Sequence, residues 1–350
     1  MLNHHIKYLP FAFIFFTFCS RKHFEKNYVD FVITNNKIFA LTATGHINLI
    51  NANTGDIIDT NINSDTSIIA IALDKKGNVI TANANKKLEL LNQQSLKLIK
   101  IKQSKDQIYN MVFSKDNKIY LITSKGINNV STGKIYPPDT TVKLNHQVRG
   151  WSNPSAIFMD KDDNIWLGYG FGEWGGELYI FSTKQSKFLK LAMNNCCLEP
   201  VQSIFADDNS IYISSGLDHM ETSGCITKID NFHCSQVFSS NTYWKGNSAN
   251  KQPITGEYIG PALFNKKDNA IYFYSQNGIF KGNVDRDLSQ INAWTKIATP
   301  KLHWTYGQAK AAGSPMNVIK MEYASNGKLF LLTVNDGIGV YDGKNFSLLN

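Results

Sequence analysis

The sequence of 350 residues lacks the linear motifs that identify the commonest enzyme classes. It contains no P-loop, no HExxH zinc motif and no G-x-S-x-G nucleophile elbow. It also lacks any long segment with apolar residues at helical spacing. At 43% hydrophobic, the composition is ample for a large core. A catalytic group would therefore have to come from separate parts of a fold built of strands, and no cofactor is expected.

A dense basic patch is also missing, although the net charge is +8, from 36 Lys and Arg against 28 Asp and Glu. The most basic stretch, residues 86–105, interleaves Lys with Leu and Ile at strand spacing. That pattern indicates the solvated face of a sheet. Nucleic-acid binding needs a denser patch with stacking aromatic residues, so no nucleic-acid partner is expected.

The chain begins with an apolar run from Leu9 to Phe18, which follows Lys7 and precedes Cys19. The run is too short to span a bilayer, which takes about 20 residues, and it fits the h-region of a secretory signal. A cysteine directly after such a region resembles the lipobox of bacterial lipoproteins, although a lipobox has a small residue where this chain has Phe18. The resemblance implies a signal peptide at 1–18, lipidation of Cys19 and a tether at 19–26. We therefore expect an exported, lipid-anchored protein on the inner or outer membrane, facing the periplasm or the cell surface. Plain secretion and an uncleaved anchor are the alternatives.

Four further cysteines lie within 39 residues: Cys196, Cys197, Cys225 and Cys234. An even number of cysteines in an exported chain favours disulfides. Zinc is the rival interpretation, because His219 and His233 lie nearby, but no CxxC spacing is present and no metal site is expected.

Two disulfide pairings are open. A hairpin centred near Ile229 and Asp230 would place Cys225 opposite Cys234, close enough to bond, and would leave the vicinal pair to bond to itself. In the crossed alternative, each vicinal cysteine bonds to one cysteine of the hairpin. We favour the Cys225–Cys234 bond, and the crossed pairing stays open because vicinal disulfides are strained and rare.

One phrase recurs along the chain: a strand, a short turn of Asp, Asn, Lys and Gly, a second strand, a gap, and two further strands. The second strands read KIFALT (37–42), NVITAN (78–83), KIYLIT (118–123), NIWLGY (164–169), SIYISS (210–215), AIYFYS (270–275) and KLFLLT (328–333). Four antiparallel strands at a period of about 40 residues are the signature of a β-propeller blade. The sequence therefore predicts an all-β fold, a single seven-bladed propeller of four-stranded antiparallel blades at 27–350, with six or eight blades as alternatives. We expect closure by packing of the last blade on the first.

Two segments resemble known propeller families. SAIFMDKDDNIWLGY (155–169) resembles the repeat in the sensor domains of two-component regulators, and GHINLINANTGDI (45–57) is similar to a turn in quinoprotein-like propellers. These resemblances imply the fold and carry no catalytic residue with them. The turn at 159–164 lacks the spacing of a calcium loop and is interpreted as a plain β-turn.

The long connections fall on one side of the predicted ring. In a four-stranded blade, the connection from the second to the third strand and the connection to the next blade open on the same face, which we call the loop face. The longest insertions are of these two kinds: residues 137–154, 170–176, 215–224, 239–258 and 299–316. Long loops on a rigid scaffold commonly carry function, so we expect the loop face of blades 4 to 7 to bind a ligand or a protein.

The loop residues combine aromatic rings with charged and imidazole groups, which suits sugars, peptides or small polar ligands. The candidate binding residues are Arg149, Trp151, Glu173, Trp174, Asp218, His219, Tyr243, Trp244, Tyr258, His303, Trp304 and Tyr306. In the alternative interpretation these rings pack on one another and plug the channel. An enzyme, a lyase or hydrolase, is the second hypothesis, and its candidate catalytic residues are His146, Glu173, His219 and His303. A scaffold in an envelope assembly is the third.

Overall fold

The computed structural model describes residues 27–139, 151–191, 196–197, 199–218, 222–241, 243–245, 252–254, 256–303 and 317–349. These residues form seven four-stranded antiparallel sheets in chain order, and one two-stranded sheet after the fifth. The first strand begins at Tyr28 and the last ends at Leu348. The all-β, seven-bladed propeller predicted from the repeat is confirmed.

In each blade the four strands lie side by side in chain order, with the first strand innermost and the fourth outermost. Each predicted second strand is a strand of the structure. Blades 1 to 3 contain β1 (Tyr28–Thr34), β2 (Lys37–Thr42), β3 (Ile47–Asn51), β4 (Ile57–Ile62), β5 (Ile68–Leu73), β6 (Val79–Asn83), β7 (Lys87–Asn92), β8 (Lys97–Gln103), β9 (Ile108–Phe113), β10 (Ile119–Thr123), β11 (Gly126–Asn129) and β12 (Ile135–Tyr136). Blades 4 and 5 contain β13 (Ala156–Met159), β14 (Asn164–Gly170), β15 (Gly176–Ser182), β16 (Lys187–Leu189), β17 (Val201–Ala206), β18 (Ile211–Asp218), β19 (Thr222–Asp230) and β20 (His233–Asn241).

The remaining strands are the small hairpin and the last two blades. The hairpin consists of β21 (Tyr243–Lys245) and β22 (Gln252–Ile254), and blades 6 and 7 contain β23 (Ala262–Asn265), β24 (Ala270–Ser275), β25 (Gly278–Asn283), β26 (Thr295–Ala298), β27 (Val318–Tyr323), β28 (Leu329–Thr333), β29 (Ile338–Tyr341) and β30 (Phe346–Leu348). The helical elements of the described residues are two 3₁₀ turns, Gly172–Trp174 and Ile291–Ala293. In this part of the chain no helix is long and apolar enough to cross a membrane.

The second strands form the middle of the core because they are covered on both faces by neighbouring blades. Every residue of β6, β24 and β28 is buried. Strands buried on both faces have apolar residues in near-continuous runs, as in AIYFYS and LFLLT. The core of the protein is therefore a series of apolar layers between blades.

In blades 2, 4 and 5, the turn before the second strand closes on a carboxylate. In blade 4, Oδ1 of Asp160 accepts the backbone N–H groups of Asp162 and Asn164, and its Oδ2 accepts the side chains of Asn164 and Trp166. Asp160 thus fixes the turn and also holds the tryptophan of the next strand. The interpretation of residues 159–164 as a β-turn is confirmed.

The seven blades close into a ring without exchanging a strand. The first strands of successive blades contact one another in order, and β1 packs against β28 of the last blade. Phe31, Ile38 and Ala40 of blade 1 form one apolar cluster with Phe330 and Leu332 of blade 7. Closure by packing of blade 7 on blade 1 is therefore confirmed.

A β-bulge recurs at the same place in the first strand of five blades. In each case the second residue of the strand is the extra one: Val29, Ile69, Tyr109, Gln202 and Ile319. Each of these strands begins at the loop face, so the five bulges surround the loop-face mouth of the central channel. All five residues line the channel.

Candidate functional site

Two long hairpins stand on the loop face, that of β14 and β15 in blade 4 and that of β18 and β19 in blade 5. The tip of the blade 4 hairpin lies within the described residues. The two strands of this hairpin pair from Asn164 and Ser182 up to Gly170 and Gly176. A short tip then contains the 3₁₀ turn Gly172–Trp174. Trp174 at this tip is 48% exposed, which is unusual for so large an apolar side chain. The segment GFGEWGG is therefore the end of a long hairpin that presents a tryptophan to solvent.

The root of this hairpin is fixed by an aromatic cluster. The ring of Trp151 lies 5.7 Å from that of Tyr179 and 6.1 Å from that of Phe188, in edge-to-face geometry. Its indole N–H donates to the carbonyl of Thr123 in blade 3, at 2.6 Å. Burial raises the pKa of Tyr169 in the same cluster far above its ordinary value. Trp151 thus has the packing role of the alternative interpretation, and it joins blades 3 and 4.

Glycines allow the walls of blades 4, 5 and 6 to meet closely. A Cβ atom on Gly176 would lie 2.3 Å from the carbonyl oxygen of Glu199, and one on Gly170 would lie 2.9 Å from Pro200. In the next interface, a Cβ on Gly216 would lie 2.4 Å from the carbonyl oxygen of Ile259. No side chain could be added at these positions without moving the backbone of the neighbouring blade.

The two disulfides tie the connection between blades 4 and 5 to the outer strands of blade 5. They join Cys196 to Cys234 and Cys197 to Cys225, with Cα atoms 5.2 and 6.3 Å apart. The favoured Cys225–Cys234 bond and the vicinal bond that accompanied it are therefore wrong, and the crossed alternative is confirmed. Two disulfides indicate an oxidising compartment outside the cytoplasm.

The hairpin of β19 and β20 explains the correction. It turns at Asn231 and Phe232, both at positive φ, so Asp230 pairs with His233 and Cys234 lies opposite Ile229. Residues in this conformation form the tight two-residue turn that matches the twist of a hairpin. A bulge further along places Cys225 opposite Ser239. Cys225 and Cys234 are thus too far apart along the hairpin to bond to each other.

Tyr258 is another candidate binding residue that the structure buries. It is 0% exposed and its backbone N–H donates to the side chain of Gln276. The neighbouring Glu257 accepts hydrogen bonds from Ser275 and Asn277 in the loop-face turn of blade 6. These contacts hold the chain between blades 5 and 6 against blade 6, so Tyr258 does not contact solvent.

His303 lies on the loop face beside a carboxylate that the sequence did not reveal. Its Nδ1 is 2.5 Å from Oδ1 of Asp336, and its backbone N–H donates to Oδ2 of the same residue at 2.8 Å. Asp336 has a side chain that is 4% exposed, whereas that of His303 is 87% exposed. The buried carboxylate orients the imidazole so that its other nitrogen faces solvent. Asp336 was missed because it is 33 residues away, in the loop-face turn of blade 7.

The structure therefore divides the predicted set. Trp174 and His303 are exposed, Trp151 and Tyr258 serve packing, and Asp218 accepts a hydrogen bond from Thr222 across the blade 5 hairpin. Glu173 belongs to the exposed tip, and Tyr243 and Trp244 belong to β21. Outside the described residues lie Cys19, His146, Arg149, His219, Trp304 and Tyr306. Within the described ranges, no three His, Cys, Asp or Glu residues are grouped so that they could hold a metal ion.

Comparison with known proteins supports the fold alone. No protein family profile and no curated protein matches the sequence. Among solved structures, the chain is similar to the computationally designed Ika8 protein, with a TM-score of 0.51 at 12% identity over 90% of this chain and 83% of that one. It is also similar to U3-55K, with a TM-score of 0.56 at 10% identity over 87% of both chains. The Cps50 (Swd1) β-propeller domain of Myceliophteria thermophila gives a TM-score of 0.56 at 8% identity, over 90% of this chain and 96% of that one.

Proposed function

We propose that this protein is an exported, lipid-anchored β-propeller that binds a partner protein or a small polar ligand through the loop face of blades 4 to 7. The observation that carries the proposal is Trp174, held 48% exposed at the tip of the loop-face hairpin of blade 4. An exposed tryptophan on a rigid support loses little side-chain entropy on binding, and tryptophan is enriched among residues that dominate interface energies. The support is rigid here because the hairpin root is packed and the next blade is cross-linked.

Several features support this assignment over a plain surface loop. The cluster around Trp151 joins the root to blade 3, and the two disulfides fix the blade 5 side. The hairpin that carries Trp174 is thus largely ordered before a partner binds, and such preorganisation lowers the entropic cost of binding. Glu173 next to the ring adds a charge that could select the partner.

Site-specific photo-crosslinking in intact cells tests the proposal. A photoreactive phenylalanine replaces Trp174, and in the matched control it replaces Ile58, which is 51% exposed on the outer strand of blade 1. We expect one defined adduct from position 174 and none from position 58. The adduct should disappear when Glu173 is changed to Lys in the same chain. Identical adducts from both positions, or none from either, would refute a binding role of the loop face.

The second candidate function is an enzyme, and the pairing of His303 with Asp336 is the observation that favours it. A buried carboxylate that orients an exposed imidazole is the arrangement used by general bases. A panel of ester, glycoside and polysaccharide substrates tests it with wild-type protein and His303→Ala. Turnover that His303→Ala abolishes would establish the enzyme, and turnover equal in both proteins would exclude His303 as its base.

A further inference from the structure

The central channel contains a cavity that the loop-face proposal does not use. Its volume is about 620 Å³, within the range of small-molecule sites, and all seven inner strands line it. At the loop-face mouth the bulged residues Val29, Ile69 and Ile319 form an apolar collar. Val29 and Ile69 are 48% and 38% exposed, although both are apolar and lie on inner strands.

The bulges explain why the collar faces the cavity. A bulge places two residues of one strand opposite a single partner residue, so it can aim a side chain that regular pleating would turn away. Bulges are common next to functional sites for this reason. Here the same device recurs in five blades, at the same position.

The charges inside the cavity do not cancel. Its charged lining residues, among those described, are Asp30, Lys320 and Glu322, with a formal sum of −1. Nζ of Lys320 donates to Asp30 at 2.9 Å and to the carbonyl of Phe31 at 2.6 Å, whereas Glu322 is 3.5 Å away. The single ammonium group is thus shared by two carboxylates, Asp30 of blade 1 and Glu322 of its own strand, and one negative charge of the three groups is left over.

The titration behaviour agrees with this geometry. Burial alone would lower the pKa of Lys320, but the carboxylates of Asp30 and Glu322 raise it to about 12. Burial raises the pKa of Glu322, although Lys320 acts in the opposite direction. A second positive group near Glu322 would therefore be stabilised, because Lys320 carries one positive charge and faces two carboxylates, Asp30 and Glu322.

We propose that the central channel binds a small organic cation with an alkyl chain, such as a primary amine. The ammonium group donates hydrogen bonds to Glu322, and the hydrocarbon part lies against the collar of Val29, Ile69 and Ile319. This site is independent of the loop-face tip: it uses none of the same residues, and failure of either proposal leaves the other standing.

Isothermal titration calorimetry with hexylammonium chloride and sodium hexanoate tests the proposal, because the two probes differ in charge and share their chain. We expect binding of hexylammonium at a single site and none of hexanoate. Glu322→Gln should weaken hexylammonium binding roughly tenfold or more, since a charge-assisted hydrogen bond is lost. Ile69→Ser should weaken it several-fold through the collar. Asp208→Asn, which removes one negative charge from the exposed opposite face, is the matched control and should bind as the wild type does.

Circular dichroism shows whether each variant is folded, and if Glu322→Gln is not, Ile69→Ser carries the test. Three results would overturn the proposal: no hexylammonium binding by the wild type at millimolar concentration, equal binding of hexanoate, or equal affinity in Asp208→Asn and both channel variants.

Discussion

Single carboxylates decide where the first turn of several blades closes. Asp74, Asp160 and Asp207 each accept backbone N–H groups two and three or four residues ahead, and Asp160 and Asp207 also accept a donor from an aromatic ring of the next strand. The repeated turn sequence is thus a hydrogen-bonding requirement. Because that requirement is local, the sequence alone reveals it.

Asp268 in blade 6 allows a prediction about acid stability. The hydroxyl of Tyr272 is its main hydrogen-bond donor, and together with Lys281 it lowers the pKa of Asp268 in spite of burial. A carboxyl whose pKa is lower in the folded state stabilises the protein above its unfolded pKa, and this contribution disappears as the pH falls through the folded pKa. Asp268→Asn should therefore cost about 1–2 kcal/mol of unfolding free energy at pH 7 and almost nothing near pH 2.

Urea denaturation across this pH range measures the effect. Asp116→Asn is the control, because Asp116 is 64% exposed and its contact with Lys118 is 3.9 Å long. A loss of stability in Asp268→Asn that stays constant down to pH 2 would show that the carboxylate charge is not responsible.

The cysteine pairing gives a second prediction at this scale. Trypsin cleaves after Lys228 and separates Cys225 from Cys234, and the protease Glu-C cleaves after Glu221 and separates Cys225 from Cys196 and Cys197, which stay on one peptide. Crossed pairing then yields three peptides linked in one species, and partial reduction releases either the Cys225 or the Cys234 peptide alone. Replacing Cys197 and Cys225 together by Ser should cost about 2–4 kcal/mol of unfolding free energy, since the bond closes a loop of 28 residues. A free Cys196–Cys197 peptide, or four free thiols, would contradict the structure.

At the scale of the element, the sequence predicts where the second strands lie, but it does not predict the register of every hairpin. Six of the seven second strands were found to within a residue at each end, because their apolar runs and preceding turns recur, and only β18 runs three residues beyond its predicted end. The register of β19 and β20 could not be found in this way. It depends on Phe232 taking a positive φ, and on a bulge at Val237, and neither has a distinct sequence signal. The contact of His303 with Asp336 was missed for a related reason, because it joins two loops of different blades.

The close approach of blades 5 and 6 can be tested at Gly216. A methyl group there would lie 2.4 Å from the carbonyl oxygen of Ile259, and backbone cannot easily give way. Gly216→Ala should lower the unfolding free energy by about 1–3 kcal/mol, as overpacking does. Ser235→Ala, at an exposed position of β20 in the same blade, should change it by less than about 0.5 kcal/mol. Thermal unfolding of the two variants measures the difference, and equal melting temperatures would show that the interface is looser than described.

At the scale of the whole molecule, the ring of seven blades determines on which face each connecting loop lies. The repeat predicted the number of blades, and blade geometry predicted which connections share a face. What the sequence could not reveal is which loop residues pack and which remain exposed. Trp151 and Trp174 differ in this respect because Trp151 meets Tyr179 and Phe188, whereas Trp174 lies at the tip of the hairpin.

The proposed anchor has a direct test at this scale. We expect the wild-type protein in the membrane fraction and Cys19→Ala in the soluble fraction, because the acyl chains of the lipid attached to Cys19 provide the membrane affinity. Intact mass should show a mature chain that begins at a lipidated Cys19. An unmodified soluble chain that begins after residue 19 or 20 would establish plain secretion instead.

The direction of β1 has a further consequence for a protein tethered in this way. Tyr28 begins β1 at the loop face, beside the channel mouth. Residues 19–26 can span at most about 29 Å, at roughly 3.6 Å per residue. A propeller anchored through so short a linker would be oriented with its loop face, where the linker is attached, toward the bilayer. Trp174 and the collar would then face the membrane surface, and the opposite face of the propeller would be the one exposed to solutes in the bulk solution. A partner that binds the loop face would then be located in, or on the surface of, the membrane that anchors the protein.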